Sequence, residues 1–222
     1  MARPRDLPYV HVTYLSKLIA GEAHCEWAAW FKSQNYYTKR PGSSSYQGSE
    51  HEVKHTKMLN KQRVELEDDG YTVTIERQND FIWQGRAAKL AGKPDLIGVS
   101  GDECLIVDVK TGSPVASHEV QLLIYMWAAP KQLKQCADKK VRGLLVYEGD
   151  HVFIELAKLT TTLINDVSAL IRRLADPQDA AKRVPSAREC RYCQISDEDC
   201  SDRYVEELIP LDDFAPVNND FF

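Results

Sequence analysis

The stretch "GKPDLIGVSGDECLIVDVKTG", residues 92–112, sets charged side chains inside what otherwise reads as two buried strands. Leu96, Ile97 and Val99 form one apolar run, and Leu105 to Val109 form a second. Ser100, Gly101, Asp102 and Glu103 lie between them as turn and solvent formers. Two such runs joined by a short glycine-containing loop predict a β-hairpin. A turn centred on Gly101-Asp102 sets Val99 opposite Cys104 and Asp95 opposite Asp108. Side chains alternate along a strand, so Lys110 shares the face of Asp108. Two facing carboxylates repel, and burying unpartnered charge is costly. A divalent cation between them removes that cost, and oxygen ligands suit magnesium or manganese. The plainer reading is a strand-start cap at Asp95 and a solvated Asp108–Lys110 ion pair. Against it stands Leu105-Ile106-Val107, apolar on both faces as in a central strand.

Working outward, Ser117 to Ala129 reads as a helix that stops before Pro130. It carries Gln121 and Tyr125 on one face, since residues four apart share a helix face. Tyr46 to Asn60 reads as a helix carrying His51 and His55 at the same spacing. Residues 11–35 read as helical, and "GSSSYQGS" at 42–49 as a loop. Strands are expected near 71–77, 81–84, 142–148 and 151–156, the last two around Glu148-Gly149-Asp150, with a helix near 158–175. Mixed strands with helices on both sides predict an α/β core. A chain of 222 residues can bury one sizeable core. The expectation is one domain over 1–205 and an acidic tail over 206–222.

Six cysteines give a second signal. Cys190, Cys193 and Cys200 form a compact triplet. No N-terminal apolar segment resembles a signal peptide, and no stretch is long enough to span a membrane. The expected setting is therefore a reducing, cytoplasmic one, where metal binding is a better reading of clustered cysteines than disulfides. A tetrahedral thiolate site needs a fourth ligand. Cys25, in "GEAHCEWAAWF" at 21–31, is the best candidate. Cys104 and Cys136 are read as free, small buried hydrophobes.

The order His51, Gly92-Lys93-Pro94-Asp95, Asp108-Val109-Lys110, Gln121-x-x-x-Tyr125 resembles the PD-(D/E)XK nuclease superfamily in its RecB-like branch. In that branch the histidine follows a glycine by four residues. Here Gly48 precedes His51 by three, which keeps His55 as an alternative. The resemblance implies a restriction-endonuclease-like mixed sheet flanked by helices and metal-dependent hydrolysis of DNA phosphodiesters. It makes Asp95 and Asp108 the ligands of Mg2+ or Mn2+, with His51 as a third and the Val109 carbonyl as a fourth. Lys110 then orients or activates water, and Gln121 and Tyr125 position Lys110 or the substrate. The one-plus-three cysteine arrangement resembles the iron–sulfur nucleases of this branch, which include the CRISPR-associated protein four family and the AddB nuclease domain. That implies a [4Fe–4S] cluster on Cys25, Cys190, Cys193 and Cys200, in a lobe joining residues 10–35 to 183–203. Zinc is the rival, but zinc ribbons show two C-x-x-C halves and only one is present. The resemblance further implies single-stranded DNA cut from its ends. Polarity and endonuclease activity do not follow from the residues. CRISPR adaptation, recombinational repair and a mobile-element pathway all stay open, with a CRISPR integrase or a helicase as partner. A non-cutting DNA-binding module on the same fold is the other class of reading.

The formal net charge of -5 at first argues against nucleic acid. From Asp197 onward, however, nine acids stand against one base, leaving 27 bases against 24 acids in residues 1–196. The body is mildly basic, so charge does not exclude DNA. The tail carries acids with Phe214, Phe221 and Phe222, and is read as a candidate occupant of a basic groove.

Overall fold

Two runs of near-continuous burial, 96–98 and 104–109, produce the hairpin at the centre of the molecule. A computed structural model describes residues 2–40 and 47–204. Strand β1 is Arg3–Pro4, β2 Tyr9–His11, β3 Asn35–Tyr36, β4 Thr72–Ile75, β5 Phe81–Gln84 and β6 Lys89–Gly92. The hairpin itself is β7, Leu96–Ser100, and β8, Glu103–Val109, followed by β9, Lys140–Tyr147, and β10, Asp150–Ile154. The helices are α1 Val12–Ile19, α2 Glu26–Gln34, α3 Gln47–Asp68, α4 Ala116–Gln132, α5 Thr161–Ala175 and α6 Ala187–Tyr192.

Five strands form the main sheet in the order β10-β9-β8-β7-β4, with β8 parallel to β9 and the other pairs antiparallel. The parallel pair needs a crossover, and α4 supplies it. Strand β8 is buried on both faces, as its composition requires. Cys104 and Ile106 pack with α4 in one core, which also holds Leu122 and Met126. Leu105, Val107 and Val109 pack with Leu59 and Leu66 of α3 in a second core. Gly143 on β9 lets α4 approach, since a Cβ there would lie 2.7 Å from the Met126 sulfur. A smaller sheet, β2-β6-β5, pairs β2 with β6 in parallel, and β1 pairs with β3. This mixed sheet between helices is restriction-endonuclease-like. No helix among the described residues is long and apolar enough to cross a membrane.

Three expectations need correction. Residues 11–35 are two helices, because Gly21 takes a left-handed φ of 69° and ends α1. Helix α4 runs through Pro130 to Gln132. Proline there forfeits one backbone bond in the last turn, and Leu133 N–H still closes on Ala129 O at 2.8 Å. Strands β2 and β6 carry no alternation long enough to read. Cys104 and Cys136 are fully buried as expected, yet the structure pairs them as a disulfide with Cα atoms 5.5 Å apart. The turn after α4 brings Cys136 back over β8, which no local pattern announces. The tail, and residues 42–46 of the Ser-rich loop, lie outside the described residues.

Candidate active site

The hairpin register is the one its turn dictates: Val99 pairs with Cys104 and Leu96 with Val107. One step further, Asp95 stands opposite Asp108. Asp95 is fixed from behind. The fully buried Asn79 donates its amide to Thr74 O at 3.0 Å and to Pro94 O at 3.2 Å, and Glu76 N–H bonds Asp95 O at 2.9 Å. Its Oδ2 accepts Val109 N–H at 2.7 Å and lies 3.3 Å from His55 Nε2.

Asp108 is 2% exposed. Its Oδ2 forms an ion pair with Lys110 Nζ at 2.6 Å. Burial pushes the Asp108 carboxyl up to about 6, Lys110 opposing and Asp95 adding to the rise. His55 is raised, first by its hydrogen bond to Asp95.

Helix α4 brings the remaining polar groups. Gln121 Oε1 accepts from Lys110 Nζ at 3.2 Å, while its Nε2 reaches Asp108 Oδ1 at 3.4 Å and Tyr125 Oη at 3.1 Å. One amide thus fixes the lysine and reports to the carboxylate. Burial holds the Tyr125 hydroxyl well above its ordinary range, so it stays protonated. Gly92 admits the rings of Phe81 and Tyr125 to the backbone, since a Cβ there would lie 2.5 Å and 2.8 Å from them.

These side chains line one cleft of about 380 Å³ with His55, Lys93 and the start of α1. Of the two histidines it is His55 that reaches the carboxylates. His51, one turn earlier, sets Nδ1 3.3 Å from Thr111 Oγ1. Sequence reasoning missed Asn79, His11 and Glu22. Glu22 accepts Ser117 N–H at 2.7 Å and Ser117 Oγ–H at 2.6 Å. It thereby caps α4, whose own N-cap residue Val115 has no side-chain acceptor. An asparagine between two strand runs is a findable signal, whereas Glu22 bonds across 95 residues and has none.

Cys25, Cys190, Cys193 and Cys200 line a second cleft, of about 650 Å³, where the two terminal segments meet. Glu189 accepts the N–H groups of His24 and Cys25 at 3.0 and 3.2 Å. Arg203 donates to the carbonyls of Cys190, Cys193 and Ile195. Among the described residues no three Asp, Glu, His or Cys side chains stand as a ready-made metal cage. For Asp95 and Asp108 that is the ordinary case for magnesium, which takes one or two carboxylates and completes its shell with water and phosphate. The donor set, two carboxylates lining one cleft, fits such an ion. The four thiols share a cleft but have not converged.

No curated protein matches the chain. A solved structure described as "Crystal structure of SSO0001" is similar at 14% identity and a TM-score of 0.42, over 86% of this chain and 85% of that one. The sequence pattern of the PD-(D/E)XK nuclease superfamily matches residues 14–197, a span holding both carboxylates, Lys110 and the Gln121 helix, and the chain belongs to that superfamily.

Proposed function

We propose that this chain is a metal-dependent deoxyribonuclease acting on single-stranded DNA or single-stranded ends. The observation that carries the reading is the facing pair Asp95 and Asp108 in a cleft, with a lysine held on the same face by Gln121. Asp95, Asp108 and the Val109 carbonyl would hold the divalent ion, with His55, beside Asp95, as the nearby imidazole. The bound ion supplies positive charge against the phosphodiester and a water nucleophile at neutral pH. Lys110 offsets the charge that develops on the phosphoryl oxygens and orients the attacking water. Gln121 fixes Lys110, and protonated Tyr125 fixes Gln121. The test is cleavage of an end-labelled single strand with magnesium or manganese. Wild-type protein that binds metal and DNA but leaves the strand whole favours the non-cutting module.

The same reading gives the chain a [4Fe–4S] cluster on Cys25, Cys190, Cys193 and Cys200. What supports it is the shared cleft and the two clasps, Glu189 and Arg203, that tie the cysteine segments together.

Metal affinity should depend on pH in a definite direction. Asp108 ionises only above about 6, and the proton on His55 is favoured by Asp95. Protons therefore compete with the ion on the acid side. Magnesium or manganese affinity, measured by calorimetry, is expected to fall about tenfold per pH unit below about 6 and to level off above about 7. A flat profile from about pH 5 to 8 would remove Asp108 from the ligand set.

Glu22→Ala is expected to lower kcat about tenfold through Gln121, at the scale of one lost helix cap. KM and metal stoichiometry should hold, because no ligand is removed. Glu22→Gln, which still accepts from Ser117, should restore most of the rate. Equal damage from both variants would show that the Ser117 bonds do not position the site.

A further inference from the structure

One surface patch outside the cleft combines cations with stacked rings. Arg5 lies over the Tyr36 ring at 4.1 Å and over Tyr9 at 5.3 Å, and Arg3 lies over Tyr36 at 4.9 Å. Among the described residues their guanidiniums stack on rings and form no ion pair with a carboxylate. A guanidinium held by its face keeps its terminal N–H groups for the oxygens of a phosphate. Tyr36 is 48% exposed on the small β1–β3 ribbon. Arg5 is anchored there by Nε to Asn35 O at 3.1 Å and by its N–H to Gln34 O at 2.8 Å.

The patch is continuous with the cleft. Strand β2 begins at Tyr9 and ends at His11, roughly 7 Å further on at the usual rise per residue. The Tyr9 and His11 rings meet edge to face at 5.1 Å, and His11 lines the cleft with Asp95 and Asp108. Burial, then the charges of Arg5 and Lys39, hold His11 below its ordinary range.

We propose that Arg3, Arg5, Tyr36 and Tyr9 form the entry track for single-stranded DNA, with phosphates on the arginines and bases on the rings, and that β2 leads the strand into the cleft. The proposal rests on the nuclease reading for its destination. Cations set beside the exposed Tyr36 ring are what a single strand selects, because its base faces are free. A duplex has its base faces stacked and offers the tyrosines nothing.

The test is fluorescence anisotropy of a labelled oligothymidine in chelator, across a salt series, with a duplex of equal length alongside. Binding without metal is read separately from cleavage. A wild type that binds here but never cuts overturns the nuclease reading and leaves this one standing. The Arg3→Gln, Arg5→Gln double variant should lose about tenfold in affinity at low salt. Its slope of log K against log salt should flatten by about 1.4, two phosphates' worth for a single strand. Tyr36→Leu should lose about tenfold at every salt with the slope unchanged, as stacking rather than charge is removed. Thermal unfolding and magnesium binding check the fold. Should Arg5→Gln disturb the ribbon, the exposed Arg3→Gln and Tyr36→Leu carry the test without it. Variants that bind single strands like the wild type overturn the proposal. So does a duplex that binds as tightly and suffers the same losses, or a wild type that binds no single strand.

Discussion

Asp108→Asn and Lys110→Ala are each expected to reduce cleavage of a labelled single strand by about 10²–10³ or more, the scale of removing one charge-stabilising group from a hydrolytic site. Their effects on stability differ, and the difference tests the geometry. Asp108 is buried, and the cation against its Oδ2 is Lys110. The folded pKa of Asp108, about 6, lies above the ordinary 3.8. For a carboxyl raised on folding, ionisation lowers stability. The cost is absent below about pH 4 and fully present above about pH 6. Without metal, Asp108→Asn should therefore unfold at the same temperature as wild type at pH 8, or higher. Lys110→Ala leaves the carboxylate facing Asp95 with its main cation gone. That variant should lose about 3 kcal/mol at pH 8, as when one partner of a buried pair is removed. Most of the loss should vanish near pH 5, where Asp108 takes up a proton. Thermal melts at the two pH values decide it. A Lys110→Ala deficit independent of pH would mean that the lysine acts by packing rather than by charge on Asp108. Full activity in either variant would remove that residue from the mechanism.

The hairpin and its register were legible because two local rules agree. Gly101 takes the turn at a φ of 55°, and the period of two then assigns every facing pair down to Asp95 and Asp108. The Gln121–Tyr125 spacing was legible for the same reason, since one helix face carries both. The choice between His51 and His55 was not. Both lie on one face of α3, about 6 Å apart along its axis, and only the docking of that helix against the sheet brings His55 to 3.3 Å from Asp95. The break at Gly21 was hidden because apolar spacing continues across it. The Cys104–Cys136 pairing and the Glu22 cap were illegible in a stronger sense. Each joins segments whose proximity exists only after β8, α4 and the terminal helices have packed. The basic ring patch escaped notice because Arg3, Arg5 and Tyr36 are scattered in sequence and ordinary singly. Only the β1–β3 pairing brings them together.

Protein purified without oxygen is expected to be brown and to hold about four irons per chain, and Cys25→Ala is expected to lose the colour. Cys25 and Cys190 are 165 residues apart, so a cluster across them closes a very long loop. In a free chain that closure is worth about 4–5 kcal/mol of entropy. Here it contributes less, because other contacts close the same loop. Ala2 N–H bonds Asp199, Arg40 N–H bonds Gln194 O, and Trp27, Phe31 and Ile195 form a small core between the segments. Cys25→Ala should therefore remain folded while melting at lower temperature. The triplet variant Cys190→Ala should suffer more, since Arg203 holds the carbonyls of Cys190 and Cys193 around a loop that the metal would shape. Stoichiometric zinc in a colourless wild type would refute the iron–sulfur assignment while leaving a four-thiolate site. If Cys25→Ala alone stays brown, the fourth ligand is another group. Cys104 and Cys136 are poor substitutes, being fully buried in the core beneath α4. His24 shares the cysteine cleft, so the double variant Cys25→Ala, His24→Ala is the one that must then lose the colour.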